Sequence, residues 1–489
     1  MHLLARKHFL KAESVNAEQG CANRYMLDEF RKKYIGTPEF YRYALRLAVP
    51  MIVQNLITNF VSMLDNIMVG QIGTVQMSGV SIVNQFVFVF NITLFGGMSG
   101  AGIFGAQFIG RKDHEGHRYT FRFRMGLALL VSAIGIAILS IFGDGLISLF
   151  LSADDDAAMV KATLGYGRTY LNYMLLGFLP FAVGQAYSSI IRECGETRIP
   201  MYGALSAIGL NVFLDYALIF GHFGFPCMGV AGAAIATVAA KFVEAGIIII
   251  WAHTHLERNI YLQSAYRSLY IPLHLAKDIT LRGCPLLINE FLWSMGMSVI
   301  AQCYSVRGLE VVAARNIAST LVNLFMVVYI QLAAALGIMV GMKLGANDMD
   351  GARDTNNKMT FFAVAVTVLL GIVLIPAAYA FPGLYNTEPS VRSLASWIIL
   401  MQALSFPIYS YSNACYFTLR SGGKTGITFL YDFIFTWFIM IPLAFVLSRS
   451  SMEVHLLFAV VTFSEIIKII VGYFMVRSEI WMQNIIDRR

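Results

Sequence analysis

Residues 110–118 read Gly-Arg-Lys-Asp-His-Glu-Gly-His-Arg, and residues 345–353 read Gly-Ala-Asn-Asp-Met-Asp-Gly-Ala-Arg. The shared frame, Gly-x-x-Asp-x-x-Gly-x-Arg, recurs at an offset of 235 residues. Working outward, the same offset pairs Pro50 with Pro285, Gly73 with Gly308, Ile82 with Ile317 and Gly102-Ile103 with Gly337-Ile338. At an offset of 228, Arg192-x-x-Gly195-x-Thr197 returns as Arg420-x-x-Gly423-x-Thr425. One matched pair would carry no weight, but a series in order reads as a duplication. The chain is two copies of one unit.

Composition says what that unit is made of. Of the 489 residues, 57% are hydrophobic and 13% charged, and the mean hydropathy is +0.65. Soluble domains average about 45–50% apolar and about 25% charged residues, so a soluble enzyme is excluded. Apolar runs long enough to cross a bilayer fall at roughly 44–69, 78–107, 125–150, 162–190, 200–220, 229–252, 283–304, 312–342, 360–382, 392–418, 427–448 and 454–475. The expected fold is therefore an all-α polytopic membrane protein, with twelve transmembrane helices in two parallel six-helix repeats. Six is even, so both copies insert with the same orientation. Their pseudo-twofold axis then runs along the membrane normal, the plan by which many secondary transporters build a site between two halves.

The positive residues set the orientation. Of 36 Lys and Arg, 28 lie in the two tails and in the loops that follow even-numbered spans. Only Lys161, Arg307, Arg392 and Arg449 lie on the opposite side, and Arg168, Lys241, Arg315 and Lys468 lie inside spans. Basic residues stay on the cytoplasmic side, so both termini are expected there, in a multi-pass membrane protein. The asymmetry also explains the net charge of +7 and a pI near 9.0 without any nucleic-acid partner. This reading divides the chain into a polar cytoplasmic extension (1–43), a first lobe (44–254), a cytoplasmic linker (255–282), a second lobe (283–478) and a cytoplasmic tail (479–489). The extension lacks the short apolar core and cleavage site of a signal peptide. The six cysteines show no spacing that would frame disulfides or a metal site.

No nucleotide motor is visible. Gly423-Lys424-Thr425 looks like the end of a P-loop, but Thr418 stands where the first glycine is required. The nine histidines lie in tails, loops or span ends, with no intramembrane metal cluster. Ion coupling is left as the drive, and it calls for ionisable groups within the membrane, where charge is costly. Asp65 sits late in span 1; Asp215 sits late in span 5, with Asn211 one turn before it. Both lie about five residues short of the outer loop, hence at one depth. Two carboxylates there, near Asn211, can exchange a proton or hold a sodium ion; the alternative is a pair of solvated groups at the outer interface. Glu290, in span 7, is either a second cation or substrate site or an interfacial residue snorkelling inward. Lys241 with Glu244, and Lys468 with Glu465, read as self-neutralised pairs on single helices, and Asp432 as an unremarkable residue near a span end. The glycines at 96, 97, 100, 102 and 105 read as close packing of span 2.

Pro50 to Gln85, with Asp65-Asn66-Ile67-Met68-Val69-Gly70, resembles the first span of the multidrug and toxic compound extrusion (MATE) family. So do Asn211-Val212-Phe213-Leu214-Asp215 and the run from Gly229 to Thr237. The resemblance extends over nearly the whole chain after residue 40. It implies twelve helices in a V of two lobes, and antiport of organic compounds against H⁺ or Na⁺ with no other cofactor. On this resemblance Asp65 stands for the family's first-span acid, Asn211 and Asp215 for the pair that the DinF-like branch carries in span 5, and Thr237 for the threonine completing that site. The NorM-like branch has acids where this chain has Tyr409 and Trp293, so a DinF-like member is expected.

The expected activity is a cation-coupled antiporter, not an enzyme, exporting small amphiphilic or cationic organic compounds from the bilayer-embedded chain, which is expected to be a monomer. The rivals are a flippase for lipid-linked oligosaccharides, which would favour a basic cavity and more than twelve spans, and a membrane receptor without transport.

Overall fold

In a computed structural model of the chain, residues 28–151 and 156–487 are described. The first 27 residues of the expected extension, and the last two of the tail, lie outside them. Every regular element among the described residues is helical. Twelve helices are long and apolar enough to cross a membrane. They are α1 (Pro38–Gly70), α2 (Thr74–Arg111), α3 (His114–Ser148), α4 (Ala157–Glu193), α5 (Arg198–Phe220), α6 (Val230–Thr254), α7 (Leu273–Ser305), α8 (Leu309–Gly345), α9 (Met349–Ala380), α10 (Pro389–Ser421), α11 (Thr425–Ser448) and α12 (Val454–Arg477).

The repeated motif is the hinge of each copy's second and third helices. Asp113 caps α3, its carboxylate accepting the Gly116 N–H at 2.8 Å; Asp348 caps α9 through Gly351 N–H at 2.9 Å. A Cβ on Gly116 would meet the Phe108 ring at 2.4 Å, and one on Gly351 the Asp348 carboxylate at 2.2 Å. The residue before each cap, Lys112 or Asn347, turns the chain in the left-handed region at φ 60° and 59°. Gly73 and Gly308 open α2 and α8 at φ 151° and 114°, a conformation only glycine adopts without strain.

Helix packing repeats with the sequence. In the first lobe α1 packs on α5, α2 on α3 and α4, α3 on α4, and α6 on α4 and α5. Each pairing returns six helices later: α7 on α11, α8 on α9 and α10, α9 on α10, and α12 on α10 and α11. Large apolar side chains on the outer surfaces, such as Ile141 and Leu369, are exposed as a lipid-facing shell requires.

The lobes meet toward the end that carries both termini, through α2 on α7 and α8, and α1 on α8. Small residues make this possible. A Cβ on Gly100 would lie 2.6 Å from the Gly283 Cα, and one on Gly96 2.7 Å from the Leu287 Cα. At the crossing of α2 and α8 the contact is reciprocal: Gly110 sits against the Met342 carbonyl and Gly345 against the Gln107 carbonyl. These four residues are two pairs at the 235-residue offset, so the crossing lies on the pseudo-twofold axis. The glycine run of α2 is close packing, as its spacing indicates.

Helices extend past the apolar runs. α1 starts at Pro38, where Thr37 accepts the Phe40 N–H and proline suits the first turn. α7 starts at Leu273, so the second part of the segment read as linker is helical. The segment 479–487 is a strap between the lobes. Trp481, Ile485 and Ile486 are buried. Gln107 of α2 accepts the Ile485 N–H at 2.9 Å and donates to the Ser421 and Gln483 carbonyls. Arg111 pairs with Asp487 at 2.8 Å, and Arg353 grips Glu479 with two bonds of 2.6 and 2.9 Å.

Candidate functional site

Between the lobes lies a cavity of ≈780 Å³, walled mainly by α1, α2, α4, α5 and α6, with α8 and α10 opposite. Its apolar wall includes Met51, Met98, Met174, Phe90, Phe178 and Phe417, flexible or flat side chains that suit an amphiphile. Toward the end remote from the termini, Asp65, Asn211, Asp215 and Thr237 all line it. Asp215 and Asn211 are buried, at 1% and 4% exposure, because α5 turns that face onto the cavity beside α1 and α6. The Asp65 and Asp215 carboxylates interact with each other. Asp65 Oδ1, both Asp215 oxygens and Asn211 Nδ2 are buried without a hydrogen-bond partner. Thr237 gives its proton to the Ala233 carbonyl at 3.0 Å, which leaves the hydroxyl lone pairs free to accept. Oxygens of two carboxylates and a hydroxyl are hard donors, suited to a proton or a small hard cation.

One residue of this wall went unread in the sequence, and another does more than its spacing indicates. Tyr170 of α4 stands beside the acids and donates to Asn84 Oδ1 at 3.4 Å. An uncharged tyrosine in an apolar helix carries no signal of its own. Lys241 of α6 pairs with Glu244 at 3.4 Å, as its spacing indicates, yet its charge is also felt at Asp65.

Three cations expected in loops stand elsewhere. Arg124, Arg192 and Arg420 line the cavity instead of facing the aqueous loops. Arg124 is fully buried and bonded to Glu193 at 2.5 Å, with the buried His117 on the other carboxylate oxygen at 3.5 Å. The helix ends run past the apolar windows, so residues that look like loop are wall.

The second lobe holds a polar cluster away from the cavity. Asp432 is buried; Lys468 reaches it at 2.6 Å and the Asn289 amide donates to it at 2.9 Å. Lys468 is thus bound more closely to another helix than to Glu465, 3.3 Å away, which itself accepts from Ser412 at 2.8 Å. The Lys468–Glu465 pair is present but not self-contained, and the unremarkable Asp432 is corrected: residues of four helices, α7, α10, α11 and α12, share one ionic knot. Directly after Asp432 the helix widens to π turns over Phe435–Met440. Glu290 is half-buried, within electrostatic reach of Arg420 and Asp432, and is not among the cavity-lining residues. Nothing brings it to Asp65.

Residues 50–217 and 285–446, the two repeats, each match the MatE family model. The chain belongs to the MatE family. Among its relatives is a probable multidrug resistance protein NorM of Thermotoga maritima, 26% identical over 415 residues, covering 84% of this chain and 86% of the relative. A probable multidrug resistance protein YoeA of Bacillus subtilis is 23% identical over 425 residues, covering 85% and 88%. Among solved structures, a MATE protein in complex with MaL6 superposes with a TM-score of 0.79 at 19% identity, over 89% of this chain and 95% of that one. A multidrug resistance MATE transporter in an outward-facing conformation superposes at 0.77 and 19% identity, over 91% and 96%. The all-α, two-repeat MatE architecture expected from the sequence is the one found.

Proposed function

We propose that this MatE-family chain is a cation-coupled antiporter that exports amphiphilic organic compounds, with H⁺ or Na⁺ entering as the counter-ion. It works in the bacterial cytoplasmic membrane with both termini in the cytoplasm. The observation that carries the reading is the facing of Asp65 and Asp215 on the wall of the inter-lobe cavity, with buried carboxylate oxygens lacking partners. Two such carboxylates repel when both are ionised, and a proton or Na⁺ between them removes that cost. Asn211, Thr237 and Tyr170 furnish further polar groups around it, an arrangement in keeping with the DinF-like branch. An ion acts on transport only if it binds the two orientations of the lobes differently. Names of relatives that refer to multidrug resistance support export as the direction.

Four basic residues on the wall are matched by four acidic ones, Asp65, Glu193, Asp215 and Glu244, and the spans number twelve. Neither favours the flippase. The test is gradient-driven efflux of a fluorescent amphiphile from proteoliposomes. Asp65→Asn is expected to abolish gradient dependence with protein still inserted and monodisperse. Full activity of that variant under both a proton and a sodium gradient would defeat the proposal.

A further inference from the structure

The charges on the cavity wall fall into pairs and remainders. Arg124 is spent on Glu193 and Lys241 on Glu244. Asp65 and Asp215 remain at one end, where the counter-ion reading places H⁺ or Na⁺. Arg192 and Arg420 remain at the other, and neither has an ion-pair partner within 4 Å among the described residues. They are also the two arginines of the duplicated Arg-x-x-Gly-x-Thr motif, so the pseudo-twofold sets one on each lobe and both against the same space.

Arg192 donates to the neutral Gln54 Oε1 at 2.9 Å, and its Nε is buried without a partner. Arg420 lies over the Phe417 ring, 5.2 Å from its centroid. A purely structural arginine in the last turn of a helix would bond that turn's free carbonyls. Arg282 does this for the loop after α10, reaching the Gly423 carbonyl at 2.6 Å. Arg192 and Arg420 make no such bond among the described residues. Gln54 and Asp65 are eleven residues apart on α1, so at 1.5 Å per residue about 16 Å separates the arginine end from the acid end. That is the length of a drug-sized amphiphile.

We propose that Arg192 and Arg420 form an anion-recognising end of the cavity, and that the exported compound is an amphiphile bearing a carboxylate which the two guanidinium groups bind. This rests on the transport reading above and narrows its substrate class. Planar guanidinium groups with free N–H donors fit a carboxylate by paired hydrogen bonds, and the low-dielectric wall strengthens them. The apolar middle of the cavity takes the body of the molecule.

The experiment compares a xanthylium dye carrying a free carboxylate with the methyl ester of the same dye. The purified full-length chain is assayed for equilibrium binding in detergent by fluorescence anisotropy, and for gradient-driven transport in proteoliposomes. The parent is expected to bind the acid at least about tenfold more tightly than the ester. Arg192→Gln and Arg420→Gln are expected each to erase that preference, the acid losing several-fold more affinity than the ester. Arg192→Lys should restore part of it, because it keeps the charge but loses the fork. Equal affinity of the parent for acid and ester, or an equal loss for both dyes in the variants, overturns the proposal. Binding needs no gradient. If neither dye is transported while the acid preference and its loss are seen, the transport reading fails and the anion site stands.

Discussion

Replacing Gly110 by alanine tests whether the reciprocal glycine crossing holds the lobes together. The new Cβ would stand 1.8 Å from the Met342 carbonyl oxygen, against a limit near 3.0 Å for real Cβ contacts, and neither can rotate away, since the oxygen is backbone and the Cβ is fixed on Cα. α2 and α8 must therefore separate by ~1 Å or more, an overpacking that costs about 1–3 kcal/mol. The cost falls only on the state closed at the terminus-bearing end, so that state loses about fivefold to 150-fold in population relative to its alternative. Gly345→Ala places a Cβ 1.9 Å from the Gln107 carbonyl and should act with similar size. The double variant should fall short of the sum, because once the helices part the second methyl meets open space. Spin labels at Glu115 and Asp350, exposed equivalents just beyond the crossing, report the closure as a distance distribution in a cysteine-replaced background. A longer mean distance is expected in each single variant. A folded Gly110→Ala protein with the parent distribution would refute the argument.

Two further outcomes rest on contacts described above. Lys468→Met leaves Asp432 and Glu465 buried without their cation, a change expected to cost about 3–5 kcal/mol; a fall in thermal midpoint that Asp432→Asn partly reverses checks it, and a change within about 1 kcal/mol counts against the knot. Removal of residues 479–489 exposes the seats of Trp481, Ile485 and Ile486, and should lengthen the Glu115–Asp350 distance while the protein stays monodisperse; an unchanged distribution would mean the strap does not latch the lobes. Arg353 holds the Glu479 carboxyl below the usual glutamate range. Its contribution to the strap is therefore present through neutral pH and lost only as pH falls below about 4.3 and through the lowered value, and it is small because both groups are nearly half exposed.

The fold was legible because its determinants are local and repeated. Length and apolarity of each run report burial in lipid directly, and Gly110, Asp113, Gly116 and their partners at 345, 348 and 351 report the turns and the crossing that need them. The acid site was half legible. Asp65 and Asp215 stand out because charge in an apolar run demands a reason, and Asn211 because it stands one turn before Asp215, whereas Tyr170 and Asn84 meet them only through the packing of α2 and α4. Arg124, Arg192 and Arg420 were misplaced for a single cause: apolar windows end before the helices do, so wall residues near the interface looked like loop. Asp432 and Lys468 failed likewise, since i,i+3 spacing offered Glu465 as a partner and nothing in the chain's order announces a contact between α11 and α12.

The acid site and the lobe crossing are far apart, and their coupling must pass through elements that touch both. α1 carries Asp65 near one end, and near the other Ala44, Leu47, Ala48 and Met51, packed against Leu332, Leu336, Met339 and Val340 of α8. α2 carries Asn84 beside Tyr170, and farther along Gly100 and Gly110 at the interface. A charge change at Asp65 alters α1 directly and α2 only through Tyr170, so α1 is the more direct carrier. Combining Asp65→Asn with Gly110→Ala in the same distance measurement separates coupled from independent action. Asp65→Asn mimics the protonated acid and should shift the lobe distance by itself. If α1 links site and crossing, the effect of Gly110→Ala differs between the two backgrounds by at least about 0.5 kcal/mol in the closed-to-open ratio. Strict additivity would place ion binding and lobe closure on separate footings and sever the mechanism at α1.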